Sequence, residues 1–513
     1  MNKLKRRLFF LFFFLLFLVT VPLVVLFVQG YRFDKDNGIF VYSGSIAIKS
    51  WPKDIDVFLD GEKYSVQKSG LVNEIFIING LRPGKYQLRC QKEGYSSWEK
   101  SVEVHSGVST EFWNVLLFPL PDKVEKTSYS PTQESHRFFL SPRDNNEVVF
   151  SQDEAGLKKI SLLDVEEGQA EEIFSVADDW KLPAPEDKEN VEWSTDNQSL
   201  LIPMRDVLGE REYFIGKIKK DQLEKPIRLS EIFDSKEAVP TQDVKKNAPT
   251  AFQKVRWMFD KNDELVVLTK KQELFYLNIK KPEEKILLAE NVSDFDFAGN
   301  RIYYAQNPNN LVWEIKDNDV ATKRQITKTA FISENNDEFI DLKVYDEYRL
   351  TMINSSGHLF IFNQEKEKNE TTNEEIQGGF IDSQFANDGK KLLFWSNHEI
   401  WVFFLRDWEV QPIREKNEKK LIVRFSQPLK NVQWMETYEN VIFSSGNWIK
   451  SAEIDMRNGI NITNVLERKE PWQENEAIYD KDSQTLFYLD KDSSQKNFLH
   501  SILFFEKKTF LGF

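Results

Sequence analysis

The sequence of 513 residues contains a single cysteine, Cys90, and only five histidines. One cysteine cannot form an intramolecular disulfide, so the fold must be held together by its hydrophobic core. Cysteine pairs with zinc-site spacing, a His-Glu-x-x-His motif, a P-loop and a Gly-x-Ser-x-Gly nucleophile motif are all absent. The histidines share no spacing: His105, His136, His358, His398 and His500. We therefore predict no catalytic, cofactor or metal site, and we do not expect an enzyme.

Positive charge is also in short supply. The chain has 68 Lys and Arg residues against 82 Asp and Glu residues, which gives a formal net charge of −14. An acidic surface repels phosphate backbones, so nucleic acid is not an expected partner. Aromatic residues, by contrast, make up 13% of the chain. Many of them stand in short apolar runs, a composition that favours β-strands.

Long apolar runs are confined to the N-terminus. Residues 8–28 are uncharged and follow a basic cluster of Lys3, Lys5, Arg6 and Arg7. About 20 apolar residues span a bilayer as a helix, and a basic flank normally stays in the cytoplasm. We therefore predict a cytoplasmic tail at residues 1–7 and a transmembrane helix at residues 8–29. The rest of the chain would then be extracytoplasmic, held at the cell membrane by a single span. A cleaved signal peptide is the alternative, although its apolar region is normally only about 7–15 residues long.

Residues 43–119 alternate apolar and polar side chains between turn signals such as Asp60-Gly61 and Pro83-Gly84. This alternation is typical of half-buried β-strands joined by tight turns. Six short strands can be assigned, which implies a small β-sandwich with two packed faces. Cys90 lies in one of these strands, where we expect it to be a buried core residue.

The same segment resembles the PEGA domain, a bacterial surface module with a sandwich fold. The resemblance is carried by an apolar strand leading from glycine to Ser-x-Pro, an Asp-Gly turn, a Leu-x-Pro-Gly-x-Tyr turn and a Gly-Tyr-x-x-Trp motif. The matching residues are Gly44, Ser50, Pro52, Asp60, Gly61, Pro83, Gly84, Tyr86, Gly94, Tyr95 and Trp98. At the family signature, residues 52–55 read Pro-Lys-Asp-Ile instead of Pro-Glu-Gly-Ala. We interpret the matched residues as structural; a carbohydrate platform on Trp51 or Trp98 is the alternative.

A repeated pattern occupies residues 136–513, after a polar segment at residues 120–135 that we interpret as a linker. Each unit has a strand ending in an apolar or aromatic residue, a turn rich in Asp and Asn, a strongly apolar strand and a third strand with aromatics. The units recur about every 48 residues, a period typical of the four-stranded blades of a β-propeller. Eight blades can be counted, and seven is the alternative because the fourth and fifth units have weak first strands. Residues 499–505 are predicted to form an inner or middle strand of the last blade, and residues 508–513 to pack against the first blade.

Two units resemble the β-propeller repeats of the TolB type, whose core reads Trp-Ser-Pro-Asp-Gly. One is WSTDNQSLLI at residues 193–202, and the other begins at Phe385. Packing between blades is the expected role of the motif residues, which are Trp193, Trp257, Phe385, Asp388, Gly389 and Trp434. Two charged runs, residues 365–375 and 414–420, are interpreted as solvated loop extensions. The acidic turns at 480–483 and 490–493 lack the glycine and distal glutamate of a calcium loop.

The predicted fold class is therefore all-β, with an N-terminal transmembrane helix, a small PEGA-like β-sandwich and a C-terminal β-propeller. Propellers present rigid faces with variable loops, a geometry suited to binding. We expect a membrane-anchored binding or scaffold protein of the bacterial cell envelope, with polysaccharide, peptide or protein as its ligand. A propeller-based hydrolase or lyase that uses channel carboxylates at the cell surface is one alternative. A structural envelope component is another. The sequence does not indicate which propeller face binds.

Overall fold

The computed structural model begins with one long apolar helix, α1 (Lys3–Val28). It describes residues 3–34, 38–64, 67–69, 75–121, 123–124, 126–129, 137–141, 147–154, 156–165, 167–177, 179–183, 187–189, 191–218, 225–234, 250–331, 339–365, 370–435, 437–491 and 497–504. The segment Lys5–Val28 of α1 reaches a mean hydropathy of 3.1 and is not buried against the rest of the chain. By length and composition it could cross a membrane, a criterion that a signal sequence also meets. A two-stranded antiparallel hairpin follows directly, formed by β1 (Tyr31–Asp34) and β2 (Ile39–Tyr42).

Two four-stranded sheets then pack face to face as a small sandwich. The strands are β3 (Gly44–Trp51), β4 (Asp56–Leu59), β5 (Glu62–Lys63), β6 (Gln67–Ser69), β7 (Ile75–Leu81), β8 (Gly84–Gln91), β9 (Trp98–Val104) and β10 (Ser109–Leu116). The sheet orders are β10-β3-β7-β6 and β5-β4-β8-β9. Every second residue of β9 is buried, so one face of its sheet supplies the core. Six of these strands were predicted; β5 and β6 are too short to leave a periodic signal.

Eight further four-stranded sheets form the rest of the described chain. The first of their strands in chain order is β11 (Lys126–Tyr129), which belongs to the last sheet. The strands of blades 1 to 4 are β12 (Arg137–Leu140), β13 (Glu147–Glu154), β14 (Leu157–Asp164), β15 (Gln169–Ala177); β16 (Glu192–Trp193), β17 (Ser199–Arg205), β18 (Arg211–Lys217), β19 (Ile227–Arg228); β20 (Phe252–Trp257), β21 (Glu264–Thr269), β22 (Leu274–Asn278), β23 (Ile286–Ala289); β24 (Val292–Ala298), β25 (Arg301–Gln306), β26 (Leu311–Lys316) and β27 (Asp319–Gln325). A short helix, α2 (Leu229–Phe233), follows β19, and a 3-10 turn (Pro282–Glu284) precedes β23.

Blades 5 to 8 repeat the same antiparallel order. Their strands are β28 (Phe339–Asp346), β29 (Arg349–Asn354), β30 (Leu359–Glu365), β31 (Glu370–Ile376); β32 (Phe380–Phe385), β33 (Lys391–Ser396), β34 (Glu399–Phe404), β35 (Lys419–Arg424); β36 (Leu429–Trp434), β37 (Asn440–Ser445), β38 (Trp448–Glu453), β39 (Ile462–Glu467); β40 (Ala477–Asp480), β41 (Thr485–Lys491) and β42 (Asn497–Leu503). The charged run 365–375 was interpreted as a loop, which is wrong for Glu365, the last residue of β30, and for residues 370–375, which lie in β31. The same holds for residues 419–420, which lie in β35. Among the residues of β31 only Ile376 is buried, so this outermost strand carries no apolar pattern.

The ring of blades is closed by the strand that comes before blade 1. In the last sheet the order is β11-β42-β41-β40, so β11 is the outermost strand of blade 8. The linker prediction for residues 120–135 is therefore wrong over Lys126–Tyr129, a strand too short and polar to be recognised from its sequence. The prediction for residues 499–505 is confirmed as far as Leu503, since β42 is the third strand of blade 8. The predicted packing of residues 508–513 lies outside the described residues.

Hydrophobic clusters hold the blades together. Eight clusters each combine residues of two neighbouring blades, and one of them joins blade 8 to blade 1. That cluster contains Phe487 and Leu499 from blade 8 and Phe138 and Val148 from blade 1. Eight blades and eight interfaces describe a closed β-propeller.

The sandwich packs against one face of the propeller. The ammonium of Lys100 lies 2.6 Å from a carboxylate oxygen of Glu453 in blade 7, and the Trp98 indole donates to the other oxygen at 2.9 Å. Gln411, in the loop between the third and fourth strands of blade 6, donates to the backbone of Ser109. Loops that join third and fourth strands share one face of a propeller, which we call the docked face. The opposite face, where each blade connects to the next, is the open face.

Candidate functional site in the propeller channel

A cavity of about 1030 Å³ lies at the centre of the ring. Its walls are the first strands of blades 2 to 7, which are β16, β20, β24, β28, β32 and β36. Asp187, Lys188, Glu474 and Asn475 also line it, and they belong to the segments that connect one blade to the next. The cavity therefore extends to the open face, away from the sandwich.

The cavity is lined by side chains of both charges. Its carboxylates are Asp187, Glu189, Glu192, Asp294, Asp296, Asp341, Asp382 and Glu474, and its cations are Lys188, Arg211, Lys254, Arg256, Lys343 and Lys430. They come from different blades, so the ring brings together groups that are far apart in the chain. Such a lining favours a polar, charged ligand over an apolar one.

Many of these charges form ion pairs between neighbouring blades. Lys254 of blade 3 lies 2.9 Å from Asp294 of blade 4. Arg256 of blade 3 contacts Asp296 of blade 4 at 2.5 Å and Glu192 of blade 2 at 2.7 Å. These pairs are partly or fully removed from water, so each cation holds its carboxylate in a fixed position.

Blades 5 and 6 form a further set of pairs around Lys343, whose ammonium contacts Asp382. Burial opposes protonation of Lys343, but Asp382 and Asp341 raise its pKa above the ordinary lysine range. Burial likewise opposes ionisation of Asp341, yet Lys343 and Lys188 lower the pKa of that carboxyl to about 2. Asp294 differs, because burial raises its pKa despite the neighbouring Lys254.

Side chains in the channel also accept hydrogen bonds from the inner edges of first strands. The carboxylates of Asp294 and Asp296 accept hydrogen bonds from the backbone N–H groups of Leu342 and Val344 at 2.7 and 2.8 Å. In blade 7, Gln433 accepts from the N–H of Tyr479 at 3.1 Å. An unpaired strand edge is costly when buried, so these bonds explain why polar residues line the ring interior.

Lys188 lies across the opening of the cavity on the open face, which we call the mouth of the channel. It lies between blades 1 and 2, and its ammonium is 2.6 Å from Asp341 of blade 5 and 3.7 Å from Asp382 of blade 6. Its side chain is 42% exposed, whereas those of Asp341 and Asp382 are 11% and 25% exposed. Lys188 is thus the accessible member of a charge cluster that faces the open side.

A smaller cavity of about 370 Å³ adjoins the mouth. Arg205 and Arg211 line it, and both guanidinium groups contact the carboxylate of Glu189. Lys270, also in its wall, pairs with Glu210 at 2.6 Å. The rim of the channel therefore carries paired charges of both signs as well.

This arrangement is suited to recognising charges. Among the residues that the structure describes, no group of three or more His, Cys, Asp or Glu side chains is arranged to hold a metal ion. A general acid needs a pKa near the working pH, and the ion pairs hold Asp341 far below it. The turn at 480–483 is organised by Asp480, which accepts from the backbone of Asp482 and Ser483.

The sandwich residues singled out in the sequence lie away from the channel, in turns and in the core. A Cβ at Gly44 would come within 2.4 Å of the His105 carbonyl oxygen, so no side chain fits there. Asp60 and Gly61 have φ values of 51° and 85° in the turn between β4 and β5. The hydroxyl of Tyr86 donates to the Arg82 carbonyl.

The other sandwich residues occupy similar positions. The Ser50 hydroxyl donates to the carbonyl of Pro52, which is buried. Pro83 and Gly84 lie at the exposed start of β8, Gly94 has a φ of 80°, and Tyr95 packs against the sandwich core. Trp98 is 4% exposed and bonded to Glu453, which leaves it no open ring face for a sugar.

The blade residues occupy three kinds of position. Trp193, Trp257 and Trp434 are buried in the clusters between blades. Asp388 and Gly389 form the turn after β32, where Asp388 accepts from the N–H of Lys390 and Gly389 has a φ of 62°. Phe385 lines the channel cavity.

The sequence analysis missed the channel charges, although a signal was present. In the first strands of blades 3 to 7, two polar residues stand at alternate positions just before the apolar end of the strand. The pairs are Lys254 and Arg256, Asp294 and Asp296, Asp341 and Lys343, Asp382 and Gln384, and Asn431 and Gln433. Alternate residues of a strand share one face, so this pattern marks the face turned toward the axis.

No protein-family model matches the chain, and no curated protein matches it. Solved structures with a similar fold include the Dos1 propeller, with 13% identity and a TM-score of 0.48 over 75% of this chain and 96% of that one. The C-terminal WD40 domain of Sif2 has 11% identity and a TM-score of 0.44 over 74% of this chain and 98% of that one. An oligogalacturonate lyase from Vibrio parahaemolyticus has 12% identity and a TM-score of 0.37 over 66% and 93%. At these identities the similarity concerns the fold alone.

Proposed function

We propose that this protein is a membrane-anchored, extracytoplasmic binding protein of the bacterial cell envelope, and that it takes its ligand at the open face of the propeller. The observation that carries the proposal is the position of the charged cavity. It extends to the face opposite the docked sandwich. The sandwich and the anchor therefore leave that face unobstructed.

The anchor is α1, whose first turns carry the basic residues that would stay in the cytoplasm. The sandwich, interpreted as a PEGA-like module, would act as a spacer. A buried ion pair between Lys100 and Glu453 supports a fixed orientation, because the pair is lost if the sandwich moves. Protease added to cells with a permeable outer layer should degrade the propeller. Protection of the propeller until the membrane is lysed would contradict this orientation.

The ligand we infer is a polar chain that carries charge, as a peptide segment or a charged polysaccharide does. Paired charges of both signs line the cavity and its rim, and Lys188 is accessible at the mouth. Lys343 and Lys188 keep Asp341 ionised, so that carboxyl is unsuited to deliver a proton as a general acid. We keep a propeller-based hydrolase or lyase as the alternative.

The test is a screen of the soluble ectodomain against peptide and glycan arrays, followed by mouth variants. Lys188→Glu should reduce the affinity for a ligand found in the screen at least about tenfold, because a like charge would then face Asp341 and Asp382. The matched control is Lys316→Glu, at an exposed lysine on the docked-face end of β26, which should leave binding unchanged. Equal effects of both substitutions would place the binding surface elsewhere.

A further inference from the structure

The hairpin after α1 has one face made entirely of aromatic residues. In its antiparallel register Tyr31 pairs with Tyr42 and Phe33 pairs with Phe40. Directly opposed residues of a hairpin share a face, as do alternate residues of one strand. The ring centroids of the two pairs are 5.3 and 5.2 Å apart, so the four rings form one continuous patch.

This aromatic face is exposed rather than buried in a core. Phe33, Phe40 and Tyr42 are 48%, 41% and 45% exposed. None of the hydrophobic clusters found among the described residues includes any of the four rings. A two-stranded hairpin is marginally stable in water by itself, so a largely uncovered face of this kind needs a partner surface.

The position of the hairpin identifies that partner. β1 begins three residues after the apolar helix ends at Val28. The guanidinium of Arg32 stacks on the Phe27 ring at 3.9 Å and donates to the Phe27 carbonyl at 3.1 Å, so the hairpin is fastened to the helix end. A helix that spans the hydrocarbon would deliver this hairpin to the headgroup region.

The hairpin is also fastened to the sandwich. Ser43 donates to the Gly30 carbonyl, and Ser106 donates to the carbonyl of Tyr42 at 2.6 Å. The Tyr42 ring lies so close to Gly107 that a Cβ there would be 2.6 Å from it. Helix, hairpin and sandwich are therefore connected by short polar and packing contacts rather than by a free tether.

We propose that the aromatic face formed by Tyr31, Phe33, Phe40 and Tyr42 binds the bilayer interface and fixes the sandwich at a set height and tilt above the membrane. Aromatic rings partition to the boundary between headgroups and hydrocarbon, where Tyr can keep its hydroxyl in water. The inference rests on the proposed membrane anchoring and goes beyond it, because an anchor alone does not require the hairpin to touch lipid.

The experiment uses the full-length protein in lipid nanodiscs and single-cysteine nitroxide labels. Cys90 does not interfere, because it is fully buried and burial raises the pKa of its thiol. Labels replace Phe33 and Phe40 on the aromatic face and Ile39, which is 56% exposed on the opposite face. Each label is tested for collision with oxygen, which is enriched in lipid, and with a water-soluble nickel chelate.

Labels at Phe33 and Phe40 should collide more with oxygen than with the nickel chelate, and the label at Ile39 should show a smaller ratio. A label at Ile413, 72% exposed in a propeller loop, is the aqueous reference. If the labels at 33 and 40 match the one at 413, the hairpin does not bind the interface. A label at Leu18 in α1 tests the anchor separately. An aqueous signal there would refute the anchoring itself, whereas a lipid signal there with aqueous labels at 33 and 40 refutes only this inference.

Discussion

The buried ion pair between the sandwich and blade 7 gives the sharpest test of how the two parts are joined. The side chains of Lys100 and Glu453 are 1% and 7% exposed. Lys100 also donates to the Asp455 carbonyl, and Asn461 donates to Glu453. Replacing Lys100 by Met would leave the Glu453 carboxylate buried without its cation.

We expect Lys100→Met to lower the free energy of unfolding by about 3–5 kcal/mol, because removing one partner of a buried pair leaves an uncompensated charge. Lys100→Met combined with Glu453→Gln should recover much of this loss, since the neutral amide can still accept from the Trp98 indole. Urea denaturation of the soluble ectodomain, with a double-mutant cycle, measures both effects.

The matched control is the surface pair of Arg424 and Glu399, whose nitrogen and oxygen atoms are 2.7 Å apart but whose arginine side chain is 64% exposed. Arg424→Met should cost no more than about 1 kcal/mol, because water screens an exposed pair. A loss of less than about 1 kcal/mol for Lys100→Met, or a double variant no more stable than the single one, would refute the account of the interface.

Three further predictions concern the ring. Deleting residues 499–513 should open it and produce oligomers in size-exclusion chromatography, because β42 pairs with both β41 and β11; an ectodomain that stays monomeric with unchanged melting would contradict the closure. The folded-state pKa of Asp341, about 2, lies below the ordinary value of about 3.9, so its ionised form contributes stability above about pH 4 that is lost as the pH falls toward 2. In the Asp341→Asn variant the melting temperature should therefore fall less steeply as the pH decreases on the acid side. An unchanged slope would disprove the pairing. Gln433→Leu should cost about 1–3 kcal/mol in urea denaturation, because the buried N–H of Tyr479 loses its acceptor; no change would show that water replaces the bond.

The sequence alone determined the fold class and the position of each blade. Strand alternation and the period of about 48 residues depend only on local composition, which survives in a single sequence. Each of the eight predicted units corresponds to one sheet. The apolar helix was equally readable, because an uncharged run such as residues 8–28 can be recognised without tertiary contacts.

The tertiary structure alone decided how the ring closes, where the sandwich sits and which charges meet. Ser128 of β11 pairs with His500 of β42, which lies 372 positions further along the chain, a separation over which no local pattern indicates a partner. Lys188 meets Asp341 and Asp382 only because blades 1, 5 and 6 face a common axis. Hydrophobic periodicity specifies which side of a strand is buried, whereas the identity of the neighbour across a channel depends on the geometry of the whole ring.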